Sequence, residues 1–250
     1  MLVGTTHPGN IGAVARAMKT MGLKRLSLVD PKRFPCAEAT ARAAGADDVL
    51  YEAQVFDTLP KALENCHWVV GTSARIRSLQ WPELTPRECA GKAVAIAGHG
   101  SENADDQVAL VFGREHSGLT NEELDHCHAV VRIPTAADYR SLNLASAVQI
   151  VTYELRTALT STEQKPNPTG EDASDRINAS DWEGFYQHLE IALQDIGYYD
   201  PAKPKRLMRR LRRLFHRAEP DRAELNILRG ILSAAQKTAR DDSGENSAAR

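Results

Sequence analysis

The feature that most constrains the fold is the alternation of short apolar runs with helical patterns over residues 1 to about 160. Short apolar runs that end in Gly, Pro, Thr or Asp are typical of buried parallel strands. Between them, apolar residues recur at helical spacing from Ile11 and again from Leu144. The alternation predicts an α/β fold, in which helices cover both faces of a mostly parallel sheet. The predicted strands are Lys24–Asp30, His67–Thr72, Ala93–Ala97, Val108–Gly113 and Ala129–Pro134.

The rest of the chain predicts a small all-helical C-terminal module. Residues 161–179 are polar and rich in turn-forming residues, as linkers are. Residues 180–240 carry three helical patterns, and we expect a disordered tail over 241–250. The pairs Thr120/Glu123 and Ser180/Glu183 each predict a capping box at a helix start. The predicted organisation is therefore an α/β domain over 1–160, a linker and a helical module.

The composition excludes several classes of protein. No apolar run approaches the roughly 20 residues that a membrane helix needs. The four cysteines form no C-x-x-C pair and the eight histidines do not cluster, so we predict neither a disulfide framework nor a metal site. This pattern is typical of a cytoplasmic protein. The net charge is only −2, so any binding to nucleic acid must come from the distribution of charge.

One segment, Lys203 to Arg217, is dense in positive charge and contains no acidic residue. On a helix its apolar residues would form a stripe that packs on a small core, and its arginines would face phosphates. A solvated charged face and a membrane-surface helix are the alternatives. The predicted stripe is Leu207, Leu211, Leu214 and Phe215, and the predicted RNA contacts are Arg206, Arg209, Arg210 and Arg213.

Three further segments place polar groups where an α/β fold binds ligands. Thr6–Gly12 is a glycine-rich turn before a helix, and its free amides, with Arg16 further along, suit an anion such as a phosphate. Phe112–Leu119 places Arg, Glu and His at the carboxyl end of a strand. Tyr139–Ala145 opens the long helix, where a Ser or Asn can cap the helix or bind a substrate hydroxyl. The alternatives are a plain turn, a salt-bridged surface turn and a simple cap.

Together, and in this order, these segments resemble the three signature motifs of the TrmH-like branch of the SPOUT RNA methyltransferases. Neither G-x-G-x-x-G nor a P-loop motif is present. Stretches such as Gly71–Arg75 and Glu224–Leu232 resemble the subfamily that methylates the first residue of the tRNA anticodon loop. The motifs are Asn10-x-Gly12-x-x-x-Arg16, then Phe112-Gly113-x-Glu115-x-x-Gly118-Leu119, then Ile133-Pro134 with Ser141-Leu142-Asn143-Leu144-Ala145.

The resemblance implies a deep C-terminal trefoil knot in the α/β domain and a homodimer with its site at the subunit interface. It also implies S-adenosylmethionine as cofactor and 2'-O-methylation of tRNA at cytidine or uridine 32. Arg16 is the implied catalytic residue, with Asn10, Glu115, Ser141 and Asn143 around the ribose. Because an arginine pKa of about 12.5–13.8 makes a poor general base, our hypothesis is that Arg16 chiefly binds the RNA phosphate and stabilises the developing alkoxide, with acceptance of the hydroxyl proton as the alternative. The implied cofactor contacts are Thr72, Ser73, Ala74, Gly113, Ile133, Arg140, Ser141 and Leu142, and Arg77 is a further candidate RNA contact.

Three alternatives stay open from the sequence. The chain can be a methyltransferase of ribosomal RNA, or a non-catalytic RNA-binding protein that keeps the knot. A Rossmann-type methyltransferase is less favoured, since its glycine motif is absent. In one departure from the family pattern, few residues precede His7. A truncated or misassigned start is one interpretation, and a short first strand would weaken the dimer and the site next to it.

Overall fold

The computed structural model describes residues 1–74, 81–97, 107–162, 177–203 and 206–248. The chain divides into two compact units, Met1–Gly170 and Glu171–Arg250. This division falls inside the predicted linker, residues 161–179, most of which lies outside the described residues. The domain boundaries drawn from the sequence stay predictions.

Parallel strands form the centre of the N-terminal unit. They are β1 (Leu2–Val3), β2 (Ser27–Val29), β3 (Gln54–Phe56), β4 (Cys66–Thr72), β5 (Glu83–Leu84), β6 (Gln107–Val111) and β7 (Ala129–Val131). They pair in the orders β1-β2-β3 and β5-β7-β4-β6, and every pairing is parallel, as predicted. A bridge between Leu2 and Phe112 joins β1 to the end of β6, so the two sets lie side by side. The first strand, β1, consists of two residues.

Seven helices of this unit are described. They are α1 (Pro8–Thr20), α2 (Ala37–Ala43), α3 (Asp47–Tyr51), α4 (Leu59–Leu63), α5 (Pro86–Ala97), α6 (Asn121–Leu124) and α7 (Leu144–Thr162). The strand predicted at Ala93–Ala97 is wrong, because these residues are the last turns of α5. Its buried residues Cys89, Ala90, Ala93 and Val94 recur at helical spacing, which a run of five apolar residues does not reveal by itself.

Helix α1 packs closely on α2, and a glycine makes this possible. Its buried face includes Ile11, Val14 and Met18, as the periodicity predicts. A Cβ atom added to Gly12 would lie 2.0 Å from the carbonyl oxygen of Ala39 in α2. Gly12 is therefore required by helix packing, because no side chain fits between the two backbones.

The C-terminal unit contains α8 (Ala179–Asp195), α9 (Leu207–Ala218) and α10 (Arg222–Ala248). Its core includes Trp182, Phe185, Tyr186 and Leu225. Helix α10 continues to Ala248, so residues 241–248 are helical where the sequence predicts a disordered tail. None of the described helices of the chain has both the length and the apolar character needed to span a membrane.

Two local predictions in this unit are wrong. The capping box of α8 is formed by Asn178 and Asp181, not by Ser180 and Glu183, because Glu183 binds Arg212 instead. On α9, Leu211 and Phe215 pack on the core as predicted, together with Met208. Leu214 is 46% exposed, since it lies to one side of the inward face that those three residues define. At α6 the predicted capping box of Thr120 and Glu123 is present.

Candidate active site

A cavity of about 620 Å³ lies in the N-terminal unit where β4, β6 and β7 end. Because the carboxyl ends of parallel strands meet at one edge of a sheet, loops distant in sequence come together there. Its volume is in the range of small-molecule and cofactor sites. All eight predicted cofactor contacts line it: Thr72, Ser73, Ala74, Gly113, Ile133, Arg140, Ser141 and Leu142.

Hydrogen bonds within the sheet connect the end of β4 to the ends of β6 and β7. The Thr72 hydroxyl donates to the carbonyl of Val111 at 3.2 Å, and the Ser73 amide donates to the carbonyl of Val131 at 3.2 Å. Phe112, Val131 and Leu144 supply apolar surface to the same cavity. The lining therefore combines a fixed polar strand end with apolar walls, which suits a ligand with both polar and apolar parts.

The loop after β6 is closed tightly on itself. Arg114 and Gly118 exchange backbone hydrogen bonds, with N···O distances of 3.2 and 2.9 Å. A Cβ atom on Gly113 would lie 2.2 Å from the backbone of Gly118, so only glycine fits at this position. The Arg114 guanidinium binds the Glu123 carboxylate at 2.9 Å, which attaches the loop to α6. This loop consequently presents Glu115, His116 and Ser117 in a defined conformation.

Glu115 is the centre of a hydrogen-bond network between this loop and the segment before α1. Its Oε2 accepts from the amide and the hydroxyl of Thr6 at 3.2 and 3.0 Å. Its Oε1 accepts from the amide of His7 at 3.1 Å and from Asn10 Nδ2 at 3.0 Å. Partial desolvation raises the pKa of Glu115, but these hydrogen bonds outweigh it and lower the pKa to about 2. The side chain is therefore an anion with both oxygens engaged.

Asn143 extends this network to the start of α7. Its Nδ2 donates to Asn10 Oδ1 at 3.1 Å. Its Oδ1 accepts from the amides of Ala145 and Ser146 at 2.9 and 3.4 Å, so it also caps the helix. The sequence left a cap and a substrate contact as alternatives; the structure shows the cap, and the contact with substrate stays a prediction. Glu115 and Asn143 together hold both ends of the Asn10 amide.

The predicted anion site before α1 requires a correction. The sequence predicts free amides there that receive a phosphate. The amides of Thr6 and His7 instead donate to the carboxylate of Glu115, so the anion at this place belongs to the protein. Gly12 is required for the packing of α1 on α2. The glycines of the Thr6–Gly12 segment therefore do not indicate a phosphate-binding turn.

Arg16 is not brought to the cavity of its own chain. It is exposed on α1, does not line the cavity, and forms no side-chain hydrogen bond or ion pair among those found within the described part of the chain. Ser141 lines the cavity and is exposed. Arg77 lies outside the described residues. One chain thus assembles the predicted cofactor contacts and the Asn10–Glu115–Asn143 network, but not the predicted catalytic arginine.

In the C-terminal unit, the predicted RNA contacts lie on or next to α9. Arg206 and Arg210 are exposed, and Arg209 and Arg213 are half-buried. Desolvation lowers the pKa of Arg213, and the charges of Arg217 and Arg210 lower it further. Like charges held together in this way are stabilised by an anionic partner.

Arg212 belongs to the same basic segment, but its side chain contacts α8. It donates two hydrogen bonds of 2.8 and 2.7 Å to Glu183, and its guanidinium lies 4.3 Å from the centre of the Tyr186 ring. It therefore binds α9 to α8, so the basic run mixes packing arginines with exposed ones.

Sequence reasoning gave several residues of the site no role of their own, although most of them lie in the segments that it singled out. Thr6 and His7 donate backbone hydrogen bonds to Glu115, and Thr135, His116 and Ser117 line the cavity. Backbone donors have no signature in the amino-acid letters, although the position of Thr6 and His7 directly before the first motif is a signal. Within the described residues, no group of three or more His, Cys, Asp or Glu side chains is placed to hold a metal ion.

Comparison with known proteins gives two family matches and several relatives. The model of the SpoU rRNA Methylase family matches residues 1–153, and that of the tRNA methyltransferase TrmJ, C-terminal domain, matches residues 180–244. The chain is 50% identical to the tRNA (cytidine/uridine/adenosine-2'-O-)-methyltransferase TrmJ of Pseudomonas aeruginosa strain UCBPP-PA14, over 96% of this chain and 94% of that protein.

Solved structures agree with these matches. The crystal structure of TrmJ from Z. mobilis ZM4 is similar with a TM-score of 0.76 and 32% identity, over 93% of this chain and 96% of that one. The SpoU methyltransferase AviRb from Streptomyces viridochromogenes, solved in complex with AdoMet, has a TM-score of 0.50 at 20% identity, over 64% of this chain and 59% of that one. The second likeness concerns the fold alone.

Proposed function

The chain belongs to the SpoU rRNA Methylase family, and we propose that it is an S-adenosylmethionine-dependent tRNA 2'-O-ribose methyltransferase that acts on cytidine or uridine 32. The observation that carries the proposal is the 50% identity to a tRNA 2'-O-methyltransferase along nearly the full length of both chains. The similarity includes the C-terminal region that the TrmJ-specific model matches. A substrate of this kind places the protein in the cytoplasm.

The cavity fits the proposed cofactor. It is lined by Thr72, Ser73 and Gly113 together with the apolar Ile133 and Leu142. These residues would hold S-adenosylmethionine, which has polar and apolar parts that match the lining. When bound, it supplies an activated methyl group for transfer to a ribose 2'-hydroxyl. The loop closed by the backbone hydrogen bonds between Arg114 and Gly118 would help to keep the reacting groups aligned.

The network around Asn10 orients a polar group next to the reaction site. Glu115 has a low pKa of about 2 and four hydrogen-bond donors, so it positions its neighbours and does not accept the hydroxyl proton. Asn10 is held by Glu115 at its amide nitrogen and by Asn143 at its oxygen. Asn10 and Asn143 thus form a fixed polar surface for the ribose.

Arg16 would act from the partner chain of a homodimer. It is exposed on α1 and away from the cavity of its own chain, so a second copy must supply it if the site is to contain an arginine at this motif position. A guanidinium has five donors in a planar fork, which suits an RNA phosphate and the charge that develops on the 2'-oxygen. Ser141, in the cavity wall, would contact the ribose or the cofactor.

Mixed dimers test this arrangement. Arg16→Ala and Gly113→Ala chains should each be inactive alone, the second because its cofactor loop cannot close. When they are combined, half of the sites in each heterodimer contain an intact Arg16 and an intact cavity, so activity should return. If the mixture stays inactive although heterodimers form, Arg16 does not act across the interface.

The reaction is tested by transfer of labelled methyl from S-adenosylmethionine to unmodified bulk tRNA and to ribosomal RNA, followed by nuclease mapping. We expect label in a 2'-O-methyl nucleotide at tRNA position 32, and its loss with Arg16→Ala. Label in ribosomal RNA alone would favour that alternative substrate, which the description of the family leaves open. Cofactor binding without any transfer would favour the non-catalytic alternative.

The basic residues on and beside α9 supply part of the tRNA affinity. The exposed Arg206 and Arg210, with the half-buried Arg209 and Arg213, gather positive charge on one short segment. Contacts to phosphates release counterions, so binding should weaken steeply with salt. Affinity that stays constant between low and moderate salt would contradict this role.

A further inference from the structure

The loop that connects β7 to α7 lines the cavity and carries one exposed aromatic residue. Thr135 and Arg140 of this loop both line the cavity, and Tyr139 lies between them. The Tyr139 side chain is 77% exposed. Among the exposed large apolar side chains of the described residues, it alone belongs to a loop that lines the cavity. Tyr139 is therefore the exposed aromatic residue to examine in the loop that lines the cavity.

The backbone at Tyr139 is fixed while its ring is available. The Tyr139 amide donates to the carbonyl of Ala136 at 3.3 Å, and Arg140 Nε donates to the carbonyl of Ala137 at 3.1 Å. At its end, the loop is tied to Asn10 through Asn143. The tyrosine ring itself makes no hydrogen bond or ring contact among those found within the described residues. A large exposed ring on a loop that lines a ligand cavity is suited to contact a bound partner.

We propose that Tyr139 is the stacking platform for the base of the target nucleotide, an inference that rests on the proposed function. An enzyme that modifies a nucleotide inside a structured RNA loop must take it out of its stack, which costs a few kcal/mol. Stacking on an aromatic side chain offsets that cost. Because every base has a π-face, such a platform accepts cytidine, uridine and adenosine alike, and leaves recognition of the position to other contacts.

The first test replaces the ring. Tyr139→Ala should lower kcat/KM for tRNA by about 5- to 150-fold, the factor that corresponds to the stacking of one base. Tyr139→Phe keeps the ring and should stay close to the unmodified chain. The Kd for S-adenosylmethionine should be unchanged in both variants. Tyr51→Ala is the matched control, because Tyr51 is also highly exposed, at 83%, and does not line the cavity.

The second test removes the base instead of the ring. A full-length tRNA with an abasic ribose at the target position keeps the 2'-hydroxyl and loses only the stacking partner. With the unmodified chain, this tRNA should show about the same loss as Tyr139→Ala shows with normal tRNA. With Tyr139→Ala, the abasic tRNA should show no further loss, because interacting groups are not additive in such a cycle.

The outcomes separate the inference from the function on which it rests. If the losses in kcat/KM from Tyr139→Ala and from the abasic tRNA are additive, Tyr139 acts on the shape of its loop and not on the base. That result would overturn the proposal. Normal kcat/KM for Tyr139→Ala would overturn it as well, while methylation of tRNA by the unmodified chain would leave the proposed function intact. Absence of any methylation of tRNA by the unmodified chain would overturn both.

Discussion

Replacement of Glu115 by glutamine should destabilise the N-terminal unit in a pH-dependent way. The carboxylate accepts four hydrogen bonds from Thr6, His7 and Asn10. The amide group of glutamine keeps one acceptor oxygen and turns an NH₂ group towards the remaining donors. Glu115→Gln should therefore loosen the segment before α1, and Asn10 with it, so that methyl transfer falls as well.

The magnitude follows from the lowered pKa. The pKa of Glu115 decreases from 4.5 to about 2 on folding, and each unit corresponds to about 1.4 kcal/mol. Since Thr6 is exposed and solvent screens part of the interaction, we expect about 1–2 kcal/mol and not the full value. A carboxylate whose pKa is lowered by folding stabilises the protein above the unfolded pKa. That contribution is complete above about pH 4.5 and is lost as the pH falls towards 2.

The assay is urea unfolding followed by tryptophan fluorescence at several pH values. A Trp182→Phe background leaves Trp68 and Trp81, both buried in the N-terminal unit, as the reporters. Glu64→Gln, at an exposed glutamate of the same unit, is the control and should change little. The gap between Glu115→Gln and its parent should be present at pH 7 and shrink below pH 4.5. A gap of constant size down to pH 3, or no gap at pH 7, would refute the reasoning.

Three further results are expected. Gly12→Ala should lower the free energy of unfolding by about 3 kcal/mol or more in denaturant titrations, because the added Cβ would overlap the backbone of α2. The control Gly91→Ala should be neutral or slightly stabilising, because a Cβ at that position meets nothing within 4 Å. Arg212→Ala should destabilise the C-terminal unit by about 2–4 kcal/mol, measured by the unfolding signal of that unit, because it leaves Glu183 without its bidentate partner. Arg210→Ala should weaken tRNA binding and reduce the slope of log K against log salt by about 1 in filter-binding titrations, and an unchanged slope would exclude a phosphate contact.

The cofactor contacts were predicted from the family resemblance, and strand order explains why they lie together. The residues after β4, β6 and β7 are far apart in sequence, but parallel strands bring their carboxyl ends to one edge. This is why the predicted cofactor contacts line a single cavity. Two local patterns in the sequence are also confirmed. They are the alternation that predicts the sheet and the capping box at Thr120.

The errors arise where a local pattern has two solutions. The apolar run at residues 93–97 is compatible with either a buried strand or a helix turn. Only its packing as part of α5 determines that it is helical. Asn178 and Ser180 each lie three residues before an acidic residue, so either could begin a capping box. Asn178 forms it, with Asp181, because Glu183 binds Arg212 instead. Asn10 was predicted to lie near Glu115, but Thr6 and His7 were missed as its partners because both use their backbone amides.

The network at the site also determines when the protein becomes active during folding. Thr6 and Glu115 are 109 residues apart in the chain, and Asn10 and Asn143 are 133 apart. Contacts between such distant residues form after local structure, because the loops that they close are long. The site therefore comes together only when α1, the end of β6 and the start of α7 are all in place. A partly folded or unfinished chain binds no substrate productively, and methyl transfer itself reports that folding of this unit is complete.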